Sequence, residues 1–265
     1  MRLASLVAAF GNAKTVRNDN SSRFGKYIKL VYDKDFKIMG ATTEHFLLEK
    51  SRLVHIEKGE RNYHFFYQLL AGLDETQKSK LKLTQPKDYA ILNRGKCTAI
   101  SEDVNDSIEF RVTCSALETV GVSEFDKNEM FSLVASFLHL GDIDFEATGE
   151  SEGGKLTTKM NSSNSMSLQQ IAEHLGCDAD KLNECFTQRT ITGRGSLITV
   201  PLDRSQSLAN VKGCIKYMYS ALFEFLVHKI NKVSERSERA FWKTSIRAMK
   251  FAKWLQTLWL HPLLS

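Results

Sequence analysis

The sequence predicts an α/β fold that is mainly helical. Only three prolines occur in the 265 residues, so long helices are permitted over most of the length. A stretch rich in β-branched and aromatic residues, Tyr27–Tyr32, is followed by the polar turn 33–35, which predicts a strand and a hairpin. A long amphipathic helix near the end is predicted by apolar residues at helical spacing: Ile215, Tyr219, Leu222, Leu226 and Ile230.

The composition is that of a globular domain, with 42% hydrophobic and 25% charged residues. The formal charge of +5 suits an acidic partner without identifying one, and no nucleic-acid partner is expected. The five cysteines are scattered, odd in number and in no CxxC pair. This spacing argues against a disulfide framework or a zinc site and fits a reducing cytosol.

A polar stretch near the start, Asn18–Lys26, concentrates amides, adjacent hydroxyls, a guanidinium and a glycine in nine residues. Phosphate and magnesium sites use these groups, because hydroxyls ligate hard cations and amides and Arg bind anionic oxygens. A polar turn rich in Asn and Ser explains the same composition, and the chemistry alone favours the turn slightly.

The order of these residues adds a second line of argument. Gly11–Thr15 leading into Asn18–Lys26 resembles the switch I loop of the myosin motor domain, almost without gaps from Phe10 onward. The resemblance implies a partial P-loop-NTPase-type motor with two or three strands of an incomplete central sheet and a helical subdomain. It also makes residues 1–10 the end of a helix, although this short apolar run faintly resembles a signal peptide.

The resemblance also implies roles for single residues. Ser21 would contact the γ-phosphate of ATP and the attacking water, and Ser22 would ligate Mg²⁺. Arg23 would form a salt bridge to a glutamate on a second switch, so Ser21 and Arg23 are the catalytic candidates. The ATP-binding candidates are Asn12, Asn18, Asn20, Ser21 and Ser22.

Further segments match the same family in order. Residues 46–54 resemble a family segment that also fits an ordinary buried strand, and Gly59–Leu70 predicts a helix that Gly72 can end. His64 is assigned no chemistry there. Residues 74–105 are expected to be polar and irregular.

Helix starts are predicted from capping residues. Asp126 with Glu129, and Ser167 with Gln170, fit capping boxes, and Asp178 is expected to cap the next helix. Gly176 is expected to end the helix that begins after Ser167.

Two short stretches imitate nucleotide motifs. Residues 149–156, GESEGGKL, nearly fit the phosphate-loop pattern but end in Leu156, which cannot ligate magnesium. The residues after it are expected to form a loop, whereas a phosphate loop needs a helix there. Residues 142–146, DIDFE, resemble the second switch DxxGFE but lack its glycine. Both are interpreted as decoys.

The segment 189–201 predicts a hairpin with a glycine-rich tip. By the resemblance it is a surface loop that contacts the actin filament, and Arg189, Arg194 and Lys159 would face that acidic partner. A solvated hairpin without a partner explains the pattern equally well.

The resemblance covers 1–232 as a partial motor domain, with switch I at 11–26 and the upper actin-binding subdomain after it. Residues 233–265 form an unmatched basic amphipathic tail. The basic stretch 236–259 is typical of contact with a calmodulin-like groove or an anionic membrane, but a non-family terminus is the preferred explanation.

The family implies ATP-driven movement on actin with ATP and Mg²⁺ as cofactors, in the cytoplasm and cytoskeleton. The printed sequence carries one of the three nucleotide loops, so we expect weak ATP binding and negligible hydrolysis by this polypeptide alone. The alternative is a non-enzymatic module that binds actin or a membrane through the 189–201 hairpin and the basic tail.

Overall fold

The structure is a computed structural model, and it describes residues 2–148, 155–160, 166–193 and 196–234. The hypotheses on the basic tail and on Arg194 at the hairpin tip fall outside these residues. No helix among the described residues combines the length and the apolar character needed to cross a membrane.

Helices and short antiparallel hairpins alternate along the chain. The helices are α1 Arg2–Gly11, α2 His64–Gly72, α3 Glu75–Lys80, α4 Ala90–Asn93, α5 Asp106–Thr119, α6 Glu124–Leu140, α7 Leu168–Leu175, α8 Ala179–Thr187 and α9 Arg204–Ser234, with 3-10 helices at Lys50–Leu53 and Pro86–Asp88. The strands pair in sequence order as β1 Asn12–Ala13 with β2 Ser21–Ser22, β3 Gly25–Tyr32 with β4 Ile38–Phe46, β5 Ile143–Thr148 with β6 Lys155–Met160, and β7 Gln188–Gly193 with β8 Ser196–Pro201. The prediction of a mainly helical mixed fold is therefore confirmed.

The core forms where α1, α2 and α9 meet. Every side chain from His64 to Leu70 in α2 is buried, as is the apolar stripe of α9 predicted from its spacing. The Tyr219 ring stacks on Tyr63 at 5.0 Å and on Phe66 at 5.7 Å between ring centroids, and its hydroxyl donates to the Phe10 carbonyl at 2.8 Å. Because α1 ends at Gly11, this core fixes the start of the polar stretch.

The β3–β4 ribbon follows the polar stretch directly. The predicted strand and turn are confirmed, and Asp33 closes the turn by accepting from the Asp35 and Lys37 amides at 2.8 and 2.9 Å. Thr43 in β4 is tied to α9 through Asn231, whose side chain accepts from the Thr43 amide at 2.7 Å and donates to its carbonyl at 2.8 Å. All eight residues of β3 are exposed.

The strand interpretation of residues 46–54 is wrong beyond Phe46. Leu47 has a positive φ of 54°, which turns the chain out of the ribbon, and a 3-10 helix follows. The Glu49 amide donates to the Arg23 carbonyl at 2.9 Å, so the segment returns to the polar stretch instead of extending the sheet.

Three further expectations need correction. Ser123 caps α6 in place of Asp126, because its hydroxyl accepts from the Asp126 amide at 3.1 Å. Residues 74–105 include α3, α4 and a 3-10 helix rather than an irregular chain, with Leu81, Tyr89 and Leu92 buried. Strand β6 occupies part of the stretch after residue 156 that was expected to be a loop. A phosphate loop needs a helix at this place, so the strand agrees with the interpretation that residues 149–156 are not a phosphate loop.

The other cap predictions are confirmed. Ser167 and Gln170 form the capping box of α7, and Asp178 caps α8 by accepting from the Lys181 amide at 3.0 Å. Gly176 ends α7 in the left-handed conformation at φ 71°.

Candidate functional site

The polar stretch is a closed loop held at its base by two short strands. Asn12 pairs with Ser22 and Ala13 pairs with Ser21 in antiparallel register. Ala13 also forms a β-bridge with Tyr63, and the backbone carbonyl of Lys14 accepts from the Arg61 amide at 3.1 Å. The loop therefore rests on the chain that enters α2, which is part of the core.

The outer part of the loop is folded by its own side chains. Thr15 and Asn18 form a turn in which the Asn18 amide meets the Thr15 hydroxyl at 3.2 Å. The Asn18 carboxamide in turn accepts from the Asn20 amide at 2.8 Å. Lys14 reaches across the loop to Asp19 at 3.0 Å and donates to the Ile100 carbonyl. These contacts define the loop while Asn18, Asp19 and Asn20 stay exposed.

Three of the candidate residues share one hydrogen-bond chain. The Ser22 hydroxyl donates to Asn12 Oδ1 at 3.0 Å, and Asn12 Nδ2 donates to Asn20 Oδ1 at 2.9 Å. Asn12 is only 8% exposed, whereas Ser22 and Asn20 lie on the surface. A buried amide thus holds two exposed polar groups at the loop surface.

His64 extends this chain into the core. Its Nε2 lies 3.2 Å from Asn20 Oδ1, and its Nδ1 is buried without a hydrogen-bond partner among the described residues. Burial, with a smaller contribution from the Arg61 charge, lowers the pKa of His64 to about 3, so the ring is neutral at pH 7. His64 could not be selected from the sequence, because its position in a helix rich in aromatic residues fits a core residue.

Arg23 connects the loop to a cluster of charges. Its Nη1 donates to the Ser21 hydroxyl at 3.3 Å, and its Nε donates to the Glu49 carboxylate at 2.6 Å. Glu49 also accepts from Arg52 at 2.8 Å, and Arg52 bonds Glu60 at 2.9 Å and the Arg61 carbonyl at 3.0 Å. The positive charges of Arg23 and Arg52 are therefore compensated by the carboxylates of Glu49 and Glu60.

The ionisation of this cluster follows from its contacts. The hydrogen bond to Glu49 raises the pKa of Arg23. Burial alone would raise the pKa of Glu49, but the hydrogen bonds from Arg23 and Arg52 outweigh it and lower that pKa below the ordinary carboxyl value. The carboxylate therefore stays ionised at neutral pH and holds both guanidinium groups in place.

The six candidate residues thus lie together in one loop. The implied partner of Arg23 was a glutamate on a second switch, and in this structure Glu49 occupies that guanidinium. Glu49, Arg52 and Glu60 were not selected from the sequence, because nothing in a run of charged residues indicates which distant side chain it will meet. Within the described residues, no group of three or more His, Cys, Asp or Glu side chains is arranged to hold a metal ion.

Comparisons with known proteins agree on one family. The family model described as "Myosin head (motor domain)" matches residues 3–244. The chain is 42% identical over 228 residues to Myosin-2 of Lachancea kluyveri, covering 86% of this chain and 14% of that protein. It is 40% identical over 230 residues to the Myosin-K heavy chain of Dictyostelium discoideum, covering 86% of this chain and 26% of that one.

A plant relative gives the same result. Myosin-6 of Arabidopsis thaliana is 41% identical over 226 residues, covering 85% of this chain and 15% of the plant protein. The chain therefore spans between 14% and 26% of the length of these three relatives.

Proposed function

Because the chain belongs to the myosin head (motor domain) family, we propose that it is the part of an actin-based, ATP-driven motor that carries the switch I loop. In this proposal the loop 11–26 contacts the phosphates of ATP, and residues after it belong to the central sheet and the upper actin-binding subdomain. The observation that carries the proposal is the hydrogen-bond chain from Ser22 through Asn12 to Asn20.

The donor set of this loop fits a magnesium ion bound together with phosphate. Mg²⁺ usually keeps several waters and takes one or two protein oxygens plus phosphate oxygens, so it does not need a cluster of carboxylates. Ser22 supplies an exposed hydroxyl oxygen whose proton is already donated to Asn12. Ser22 is therefore the proposed metal ligand, and the ion would neutralise charge on the phosphates.

The amides and the Ser21 hydroxyl are proposed to position the rest of the nucleotide. Asn18 and Asn20 present exposed amide groups that can donate to anionic oxygens, and the mostly buried Asn12 is proposed to lie close to the nucleotide while it holds Asn20 in place. Ser21 lies beside Arg23, and in the proposal its hydroxyl contacts the γ-phosphate and the attacking water. Catalysis of this kind depends on positioning and charge stabilisation, so each fixed hydrogen bond in the loop contributes by keeping these groups in place.

Arg23 is proposed to hold the closed loop. Its pairing with Glu49 links the loop to the 3-10 helix Lys50–Leu53 and, through Arg52, to the start of the α2 segment. Because the loop begins where α1 ends, and because Ala13 and Lys14 contact the segment before α2, movement of the loop would be transmitted to the core. Such coupling is how a nucleotide loop reports its state to a distant surface.

Weak ATP binding and negligible hydrolysis by the 265-residue polypeptide alone remain part of the proposal. The test is the affinity for a fluorescent ATP analogue, mant-ATP, measured with Mg²⁺ and with EDTA. We expect the wild-type chain to bind mant-ATP more tightly with Mg²⁺ than with EDTA. In Ser22→Ala the ratio of these two affinities should fall about tenfold or more.

Ser79→Ala is the matched control, because Ser79 is also an exposed serine but lies on α3, away from the loop. Equal Mg²⁺ dependence in wild type and Ser22→Ala would refute the metal assignment. Co-sedimentation with actin, with and without ATP, tests the partner: binding that responds to salt but not to ATP would favour the non-enzymatic module.

A further inference from the structure

The ring of His64 is held at the inner end of the loop's hydrogen-bond chain. It is the first residue of α2 and is 5% exposed, so it has one orientation set by the core. Its Nε2 meets Asn20 Oδ1 at 3.2 Å, while no described residue hydrogen-bonds to Nδ1. Among the residues that the structure describes, the ring therefore has one hydrogen-bond partner, which lies in the candidate ATP-binding loop.

In the contact between His64 and Asn20, one side chain must donate the hydrogen bond and the other must accept it. A neutral imidazole carries one N–H, and an amide oxygen accepts hydrogen bonds but cannot donate one. With the proton on Nε2, the ring donates to Asn20 Oδ1. With the proton on Nδ1, two acceptors would face each other at 3.2 Å unless the Asn20 amide turned over. Since nothing described accepts from Nδ1, the Nε2–H tautomer is favoured.

The order of donor and acceptor at His64 also determines which group donates at each later hydrogen bond, up to Ser22. Asn20 Oδ1 also accepts from Asn12 Nδ2 at 2.9 Å, which leaves Asn12 Oδ1 to accept from the Ser22 hydroxyl at 3.0 Å. In this arrangement the Ser22 proton points at Asn12, and the oxygen keeps both lone pairs. If both amides turned over, Asn12 would donate to Ser22 and occupy one of those lone pairs.

We propose that His64 is a positioning residue that sets the direction of this hydrogen-bond chain, so that Ser22 offers free lone pairs to a magnesium ion. The inference rests on the proposed function, because it names the residue that prepares the metal ligand. His64 itself touches neither the metal nor the phosphates. Outer-sphere groups of this kind fix the orientation of a ligand and raise metal affinity.

The experiment compares two substitutions at one position. His64→Gln keeps an N–H donor near the place of Nε2, whereas His64→Leu removes it at similar volume. The ratio of mant-ATP affinity with Mg²⁺ to that with EDTA is measured for each. We expect His64→Leu to lower this ratio about tenfold or more and His64→Gln to recover most of it.

The control is His139→Leu. His139 lies in α6 and is also a buried histidine, 1% exposed. Its Nε2 lies 3.0 Å from the Leu81 carbonyl after α3, its Nδ1 accepts from the Met166 amide at 3.4 Å, and none of its described hydrogen bonds reaches the loop. This variant should lose stability and keep the wild-type ratio. Nitrogen-15 NMR of the His64 ring at pH 7 gives a reading without nucleotide, and the Nε2–H tautomer is expected.

The outcomes separate the two proposals. A wild-type chain whose mant-ATP affinity does not depend on Mg²⁺ overturns the proposed function and this inference with it. Magnesium dependence that survives His64→Leu, or an Nδ1–H ring, overturns the inference alone. If His64→Leu does not fold, the nitrogen-15 NMR reading of the wild-type His64 ring decides the inference, and an Nδ1–H ring overturns it.

Discussion

Helix α2 and strand β3 are both rich in large apolar side chains, yet they meet opposite environments. Phe66 in α2 is 0% exposed and stacks against Tyr219, whereas Tyr27 in β3 is 54% exposed. The residues of α2 contact α1, α5 and the Tyr63–Tyr219 stack, while β3 contacts mainly its hairpin partner β4.

This difference in exposure between α2 and β3 shows that composition predicts whether a segment forms a helix or a strand. Composition does not predict whether other described residues pack against that segment. An apolar ribbon with all eight residues of one strand exposed is a surface that other chain segments would be expected to cover. The chain spans only 14% of the length of the yeast relative, and in the proposed motor the ribbon would join further strands of the central sheet. The polar loop lies between the two regions and is fixed by the buried one.

The largest effect is expected on the buried side of the comparison. Phe66→Ala removes a fully buried ring from α2 and should lower the free energy of unfolding by about 3–5 kcal/mol, because transfer and cavity costs add. Urea unfolding followed by circular dichroism measures it. A loss below about 1 kcal/mol would show that α2 is not the core that this structure describes.

The junction between the core and the loop gives the next effect. A Cβ on Gly11 would lie 2.5 Å from the Phe24 ring and 3.1 Å from Phe223, so Gly11→Ala should cost about 1–3 kcal/mol through overpacking. Gly213→Ala is the control, because nothing lies within 4 Å of its Cβ inside α9, and it should stabilise by about 0.5–1 kcal/mol. Thermal unfolding of both variants tests the contrast, and equal shifts would contradict the close approach of Phe24.

Burial of His64 predicts a pH effect on stability. Its folded pKa of about 3 lies below the unfolded value near 6.5, so the unfolded chain binds a proton that the folded chain does not. The contribution of His64 to the free energy of unfolding is therefore fully present well above pH 6.5. It decreases as the pH falls, by about 1 kcal/mol between pH 6.5 and 5.5. Unfolding titrations at several pH values test this, and His64→Gln should remove that part of the slope.

A smaller effect is expected on the exposed side. Leu30 in β3 is 47% exposed, so Leu30→Thr should change the free energy of unfolding by no more than about 0.5 kcal/mol. The same change should reduce association of the purified chain, because it interrupts an exposed apolar strand. Light scattering measures the second effect. A destabilisation as large as that of Phe66→Ala would mean that β3 is buried in solution.

Features set by neighbouring residues could be predicted from the sequence. The caps at Ser167 and Asp178, the hairpin turn at Asp33 and the stripe of α9 depend on spacings within a few turns of chain. The cap at Asp126 was misplaced because Ser123 and Asp126 both fit a cap, and only the fold decides which side chain meets the free amides.

Features set by distant contacts could not be predicted. Leu47 adopts a left-handed conformation that its own side chain disfavours, because the chain must turn back for Glu49 to meet Arg23. The same holds for His64, whose meeting with Asn20 joins residues 44 positions apart. The loop residues were found from their order along the chain, whereas the groups that hold them were found only in three dimensions.

The link between Asn231 and Thr43 has a consequence for how the ribbon can grow. The carboxamide occupies the same backbone N–H and C=O that an adjoining strand would use at that residue. Lateral extension beyond β4 is therefore blocked at Thr43 by the long helix. Any further strand that widens this ribbon continuously would therefore have to pair along the outer edge of β3.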